Sequence, residues 1–180
     1  MTGEYSSPLG DPPGGHHALV PRFASREVQL SEVHSESGRR TLEVPPRGSH
    51  LELGALPTAP GTARAHTRAM LGEWSLTELS ETAELLVSEL VTNAVFASRA
   101  LSRPLLQPIH LWLRTVQDRL LIIVWDADVR PPIVRSVDAA AESGRGLQIV
   151  ELLSSRWGWY PTEDRGGKCV WCELAERSAP

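Results

Sequence analysis

The chain has 180 residues, a formal net charge of −4 and a hydrophobic fraction of 41%, values typical of one soluble domain with its own core. The acidic balance argues against direct nucleic-acid binding, which needs a basic face. The longest apolar run, LLIIVW at 120–125, is too short to cross a membrane, and the N-terminus lacks a signal-peptide pattern. We therefore expect a cytoplasmic protein that does not contact a membrane.

Residues 1–50 have the composition of a linker. They contain six Pro and six Gly with little apolar periodicity, as in PLGDPPGGHH, which is typical of turns and linkers. We interpret His16 and His17 as solvated, because further metal ligands at a suitable spacing are missing. The segment is predicted to be a disordered or loosely structured extension, in which REVQL at 26–30 is able to pair as a strand.

Residues 51–100 predict one strand and two helices. LELGAL at 51–56 has a strand pattern, and TAPGTARAHTRAMLGEW at 58–74 predicts a helix that begins near Pro60. A longer helix is predicted over 75–100. Its expected N-cap is Ser75 or Thr77, with Glu78 or Glu81 in the first turn.

The second half of the chain predicts a hairpin, a long loop, a short helix and two further strands. IHLWLRTV (109–116) and RLLIIVW (119–125) are joined by the short turn Gln117-Asp118. A polar loop with adjacent prolines follows, and then come the helix LQIVELLSS and the strands SRWGWYPT and KCVWCEL. This order predicts an α+β two-layer sandwich, with a mixed, largely antiparallel sheet and helices on one face.

The single Asn of the chain lies at the edge of the apolar stripe of the long helix. The stripe consists of Leu79, Ala83, Leu86, Leu90 and Ala97. Asn93 is at its margin, and Glu89 lies four residues earlier on the same flank. One interpretation is a hydrogen-bonded core amide near a surface carboxylate. The other is a site in which the carboxylate orders a hydroxyl and the amide oxygen binds Mg²⁺.

Asp126 ends the apolar strand 120–125 and has the same parity as Leu120, Ile122 and Val124. A carboxylate in that position either caps the following loop or accepts a hydrogen bond from an exocyclic amine such as that of adenine. The second role is favoured in a dry pocket. Both interpretations stay open on the sequence alone.

Gly144 and Gly146 flank Arg145 directly before the predicted short helix. Glycines allow a close approach of the backbone, and a helix N-terminus offers free N–H groups to a phosphate. Arg145 adds a cationic donor at the same place. The G-R-G stretch is therefore a candidate phosphate cradle.

Lys168 is the only lysine among 18 basic residues and precedes the CVWC stretch of the last strand. It is a candidate to reach a phosphate or the carboxylate of a partner, and a plain surface charge is the alternative. A Walker-type loop is excluded, because the G-x-x-x-x-G-K-[ST] pattern is missing and a strand follows. Cys169 and Cys172 should point to opposite faces of that strand, so we interpret them as packed thiols rather than a redox or zinc pair.

The order of these motifs resembles the ATP site of the GHKL superfamily, which includes gyrase, the heat-shock 90 chaperone and histidine kinases. The stretches ELVTNAV, VWDADVRPP, GRGLQIVELLSSRWGW and GKCVWCEL are similar to the anti-sigma factor serine/threonine kinases of actinobacterial type. The resemblance covers residues 51–175, which it makes one ATPase domain of the Bergerat fold. It leaves 1–50 as an extension and 176–180 as a tail.

The resemblance implies a role for each motif residue. Glu89 would polarise the hydroxyl of the acceptor serine as the catalytic residue, and Asn93 would ligate the Mg²⁺ that bridges the nucleotide phosphates. Asp126 would accept from the adenine amino group. The remaining nucleotide-binding residues would be Gly144, Arg145, Gly146, Leu147 and Lys168, with residues 127–143 as the ATP lid.

The resemblance also implies a function. The chain would be an ATP- and Mg²⁺-dependent protein serine/threonine kinase that phosphorylates an anti-sigma-factor antagonist and otherwise sequesters a sigma factor, as a possible homodimer. The alternatives are a nucleotide-gated binding module without significant kinase activity and a sensor histidine kinase catalytic domain. Asp128 stands where glycine is frequent in the family, so we expect a second carboxylate near the lid that weakens nucleotide binding.

Overall fold

The computed structural model describes residues 47–101, 107–116, 119–133, 145–162 and 165–175. Its strands are β1 (Gly48–Leu53), β2 (Ile109–Val116), β3 (Arg119–Asp126), β4 (Arg156–Pro161) and β5 (Lys168–Ala175). Its helices are α1 (Ala59–Glu73), α2 (Ser80–Ala100) and α3 (Gly146–Leu153), with a 3-10 turn over Thr77–Leu79. None of the described helices is long and apolar enough to cross a membrane.

The five strands form one sheet in the order β1-β2-β3-β5-β4. Every pairing among them is antiparallel, so the parallel component of the predicted mixed sheet is not found in the described part of the chain. The predicted hairpin is confirmed, because β2 pairs with β3 in a register that closes at Val116 and Arg119. The turn residues 117–118 themselves lie outside the described residues.

The core lies between the helices and one face of the sheet. It combines buried residues of α1, α2 and α3 with alternate residues of the strands, among them Leu120, Ile122 and Val124 of β3. The opposite parity of β3, with Leu121, Ile123 and Trp125, belongs to a separate cluster on the other face. Three helices on one face and an antiparallel sheet are compatible with the predicted α+β two-layer sandwich.

Helix α2 begins later than the sequence predicts. The 3-10 turn over Thr77–Leu79 precedes it, and no side chain caps either element. The prediction of Ser75 or Thr77 as the N-cap is therefore wrong. Ser75 adopts a positive φ of 60° at the end of α1, and its amide bonds back to Gly72 O, so it belongs to the turn that links the two helices. Glu81 does lie in the first turn of α2, where it suits the helix dipole.

Strand β1 begins at Gly48, three residues before the strand pattern that the sequence shows from residue 51. Arg47 already belongs to the sheet edge, because its N–H donates to Thr115 Oγ1 and its carbonyl accepts from the Thr115 amide. The rest of the predicted extension and the tail at 176–180 lie outside the described residues.

Candidate functional site

The first group of candidate residues lies on α2, on the flank that faces α3. Glu89 and Asn93 are both half-buried, one helical turn apart, as their spacing predicts. Within the described part of the chain neither side chain forms a hydrogen bond or an ion pair with another residue. A half-buried carboxylate and amide without protein partners are free to bind a ligand, since polar groups in such positions are normally paired.

Gly146 is the residue of α3 that approaches this pair. A Cβ added to Gly146 would lie 2.7 Å from Glu89 Oε2, 3.2 Å from Asn93 Nδ2 and 3.5 Å from Asn93 Oδ1. Gly146 opens α3, with Arg145 as its N-cap. The absence of a side chain therefore lets the first turn of α3 lie directly over the two polar groups. We call Glu89, Asn93 and Gly146 the helical corner.

The other members of the glycine-rich stretch are placed differently. Arg145 is exposed, so its guanidinium has access to a ligand at the start of α3. Leu147 is 5% exposed and belongs to the main core, so it shapes the site by packing. Gly144, and with it residues 134–143 of the predicted lid, lies outside the described residues.

The second group lies at the end of β3. Asp126 and Lys168 are register partners across β3 and β5, and Lys168 Nζ donates to Asp126 Oδ1 at 2.8 Å. Their side chains are only 3% and 5% exposed. Lys168 Nζ also donates to the carbonyl of Asp128 at 3.0 Å. The surface-charge interpretation of Lys168 is therefore wrong, because the ammonium is buried and paired.

Asp126 also caps the loop that follows it. The Asp128 amide donates to Asp126 Oδ1 at 2.9 Å, as the loop-cap interpretation predicts. Burial raises the pKa of Asp126 above its ordinary value, while the hydrogen bond and charge of Lys168 and the Asp128 amide act against that shift. Among the described residues, the hydrogen bonds to Asp126 all go to Oδ1, which leaves Oδ2 to a ligand.

Asp128, the second carboxylate that the sequence predicts near the lid, is neutralised within the loop. Arg130 donates from Nε to Asp128 Oδ1 at 2.9 Å and from Nη2 to Oδ2 at 2.8 Å, a forked pair. The Arg130 guanidinium holds the pKa of Asp128 below its usual range. We call Asp126, Asp128, Arg130 and Lys168 the sheet end, a set of two carboxylates and two cations.

A glycine permits the close approach of β5 to the end of β3. Gly167 has a φ of 81°, and a Cβ there would overlap the carbonyl oxygen of Asp126 and crowd Ala127. Only glycine is suited to both the positive φ and this contact. The GG preceding Lys168 therefore positions the lysine against Asp126 rather than forming a phosphate loop.

The two cysteines are packed on opposite faces, as predicted. Cys172 belongs to the core under the helices and Cys169 to the cluster on the other face, and both thiols are free and buried. Burial raises the pKa of each thiol, which makes them poor nucleophiles and metal ligands.

The polar groups of the helical corner indicate which ligands they are able to bind. The helical corner presents carboxylate and amide oxygens, which suit a hard cation such as Mg²⁺, next to a helix N-terminus, which suits a phosphate. The missing side chain of Gly146 lets the start of α3 lie close to Glu89 and Asn93. The described residues contain no cluster of three or more His, Cys, Asp or Glu side chains able to hold a metal by themselves, so a Mg²⁺ at Asn93 would need oxygens from its ligand and water.

Sequence reasoning missed the pairing of Lys168 with Asp126 and of Arg130 with Asp128. The first joins residues 42 positions apart, and no local pattern signals it. The second had a local signal, because an Asp side chain in a loop often accepts a hydrogen bond from the amide two residues later, here that of Arg130.

No protein-family model matches this chain, and no curated protein matches it.

Proposed function

We propose that this chain is an ATP-binding protein serine/threonine kinase of the GHKL type with the Bergerat fold, related to the anti-sigma factor kinases. It would phosphorylate an antagonist protein and otherwise sequester a sigma factor, in the cytoplasm and as a possible homodimer. The observation that carries this proposal is the helical corner. Glu89 and Asn93 lie one turn apart without described protein partners, under the glycine that begins α3.

The helical corner supplies the two roles that phosphoryl transfer requires, positioning and charge compensation. Asn93 Oδ1 would hold Mg²⁺, which neutralises phosphate charge when bound. Glu89 would accept a hydrogen bond from the serine hydroxyl of the protein substrate and so orient its oxygen for attack. The start of α3, with its N–H groups and exposed Arg145, would face the phosphates.

The sheet end supports recognition of the adenine base. Lys168 donates to one oxygen of Asp126, and the Asp128 amide donates to the same oxygen. These two donors hold the carboxylate in place and favour its charged form. Asp126 Oδ2 is then the acceptor for the exocyclic amine of adenine. Arg130 compensates the extra charge of Asp128, so the expected weakening of nucleotide binding by Asp128 is reduced.

The test separates binding from transfer. ATP affinity is measured by calorimetry with and without Mg²⁺, and transfer is measured with labelled ATP and candidate antagonist proteins. Glu89→Gln should retain ATP affinity and lose transfer by about 10²- to 10⁴-fold, the usual loss for a group that handles the proton. Asn93→Ala should lose the Mg²⁺-dependent part of ATP affinity, by about tenfold or more. Glu81→Gln, on an exposed part of the same helix, is the matched control.

Two outcomes would change the proposal in different ways. If the wild-type chain binds ATP but phosphorylates nothing, and Glu89→Gln behaves identically, the chain is a nucleotide-gated binding module. If Asn93→Ala binds Mg²⁺ and ATP as tightly as the wild-type chain, the helical corner does not hold the nucleotide and the proposal is wrong.

A further inference from the structure

The face of the sheet opposite the helices carries a pair of histidines on neighbouring strands. His50 of β1 is exposed and His110 of β2 is half-buried. His50 Nε2 and His110 Nδ1 lie 3.0 Å apart. Neither residue belongs to the helical corner or the sheet end, and the kinase proposal makes no use of them.

The strand register and two tryptophans fix this pair. His50 is the cross-strand partner of Trp112, and Glu52 is the partner of His110, so the two histidines are diagonal neighbours on one face. The Trp112 ring stacks on both imidazoles, with centroid distances of 5.0 Å to His50 and 5.6 Å to His110. Trp125 of β3 meets His110 edge-on at 5.4 Å. His110 is thus held on two sides, whereas His50, which stacks on Trp112, is the more exposed of the two rings.

The distance between the two nitrogens suits a chelate. Two nitrogens that each lie about 2.0–2.1 Å from a metal, in neighbouring positions of a square-planar or tetrahedral site, are separated by about 2.9–3.4 Å. Imidazole binds Zn²⁺, Cu²⁺ and Ni²⁺ well.

We propose that His50 and His110 form a two-histidine site for a divalent transition metal of the Cu²⁺, Ni²⁺ and Zn²⁺ class, which clips the edge strand β1 to β2. His50 Nε2 and His110 Nδ1 are the two protein ligands, and water fills the remaining positions. The ring that donates in the metal-free pair moves its proton to its other nitrogen, so no proton is lost from the pair. The described residues offer no third ligand in place, which predicts a reversible site rather than a closed structural one.

Glu52 strengthens this site by its charge. It lies across from His110 in the register and is exposed. A carboxylate beside the two imidazoles favours a divalent cation electrostatically. Cu²⁺ is the best probe, because imidazole sites bind it more tightly than Ni²⁺ or Zn²⁺.

The experiment titrates the full chain with Cu²⁺ and follows heat and tryptophan fluorescence together. Cu²⁺ bound at the pair should quench Trp112 and Trp125 at a stoichiometry of one per chain. His50→Gln and His110→Gln should each weaken this binding at least about tenfold, the scale of losing a group that supports a metal site. Glu52→Gln should weaken it less than either. His66→Gln is the matched control, because His66 bonds Ser49 Oγ away from this pair, and it should bind Cu²⁺ as the wild-type chain does.

A second readout tests whether the bound metal holds β1 against β2. Saturating Cu²⁺ or Zn²⁺ should slow hydrogen exchange of the β1 amides and raise the unfolding temperature in the wild-type chain, but not in the double variant His50→Gln/His110→Gln. The histidines at positions 16, 17 and 34 remain in every variant. If the double variant keeps the Cu²⁺ affinity and quenching of the wild-type chain, the binding belongs to those residues and the proposal is wrong. The double variant should bind one Cu²⁺ fewer per chain than the wild-type chain, and an equal stoichiometry in the two proteins overturns the proposal.

Discussion

The helical corner and the sheet end differ in whether their polar side chains are paired with other described residues. Glu89 and Asn93 face Gly146 without forming bonds to other described residues. At the sheet end every charged side chain has an opposite partner, Lys168 with Asp126 and Arg130 with Asp128. Glu89 and Asn93 are half-buried and are not among the fully buried, unpaired side-chain atoms of the described residues, so water or a ligand is able to satisfy them.

The sheet end serves a different purpose. Its charges add to zero, and Lys168 holds the start of the loop that follows β3 against β5 through the Asp128 carbonyl. The helical corner therefore keeps polar groups without described protein partners, while the sheet end anchors the loop. The two groups should respond differently to substitution.

The largest expected effect is on stability at the sheet end. Lys168→Met removes the ammonium and leaves the Asp126 carboxylate buried without its partner, so we expect a loss of about 3 kcal/mol in the free energy of unfolding. Urea denaturation monitored by circular dichroism measures it. Arg119→Met, which breaks the exposed pair with Glu173, is the matched control and should cost less than about 1 kcal/mol.

The double variant Asp126→Asn/Lys168→Met identifies the cause of this loss. An asparagine keeps an oxygen for the Asp128 amide and carries no charge, so the double variant should be more stable than Lys168→Met alone. If Lys168→Met is no less stable than Arg119→Met, the buried pair does not hold the sheet end.

At the helical corner the expected effect is on ligand binding with little change in stability. The Cβ of Gly146→Ala would displace the Glu89 carboxylate and press on Asn93, so ATP affinity should fall at least about tenfold, or about 1.4 kcal/mol. Stability should not fall, because alanine favours a helix over glycine. Calorimetric titration with ATP and a thermal melt measure the two quantities.

Gly72→Ala provides the matched control for this substitution. Gly72 lies in α1 with nothing within 4 Å of an added Cβ, so the change should leave ATP affinity unaltered. Equal ATP affinities in the two alanine variants would show that ATP binding does not depend on the positions of Glu89 and Asn93 beside Gly146.

The smallest effect is a pH dependence of the sheet end. Burial raises the pKa of Asp126, and Lys168 opposes that shift, so Lys168→Met should raise the pKa further. A folded-state pKa above the unfolded value, about 3.9 for Asp, means that the folded protein binds the proton more tightly. The contribution of Asp126 to the free energy of unfolding therefore falls as the pH rises from the unfolded-state pKa to the raised folded-state pKa. The deficit of Lys168→Met should therefore be smaller at pH 5 than at pH 8, by about 1 kcal/mol.

The same measurement on Asp126→Asn/Lys168→Met checks the assignment. That variant has no titrating carboxyl at position 126, so its stability difference from the wild-type chain should lack the additional rise with pH. The charge of Lys168 also lowers the pKa of Asp128 and is lost in both variants, so the contribution of Asp128 cancels when the two variants are compared with each other. A deficit that persists unchanged in the double variant would assign the pH dependence to another group.

Local patterns predicted the elements well. The strand patterns in IHLWLRTV and RLLIIVW predicted β2 and β3, and the register confirms their hairpin. Helical spacing placed Glu89 and Asn93 on one flank of α2, and Gly146 lies against both. The capping prediction was wrong because the turn from α1 through Ser75 and the 3-10 turn determine where α2 begins.

Contacts between distant segments were not predictable in this way. The pairing of Asp126 with Lys168 depends on β5 lying next to β3 in one register, and the pairing of His50 with His110 depends on the register of β1 and β2. A shift of one residue in either ladder would turn these side chains to the other face. The sequence contains the residues, but the sheet order decides which of them meet.

The order of the strands also affects how the chain reaches this structure. β3 and β5 are separated in sequence by α3 and β4. In contrast, α2 follows α1 closely in the sequence, and β3 follows β2 closely. Closing a long loop costs more entropy than closing a short one and is repaid only when its contacts form. The helix pair and the hairpin are therefore able to form early, and the step that docks β5 completes the sheet end, because it brings Lys168 to Asp126. Until that step the chain has its local elements but lacks the buried charge pair.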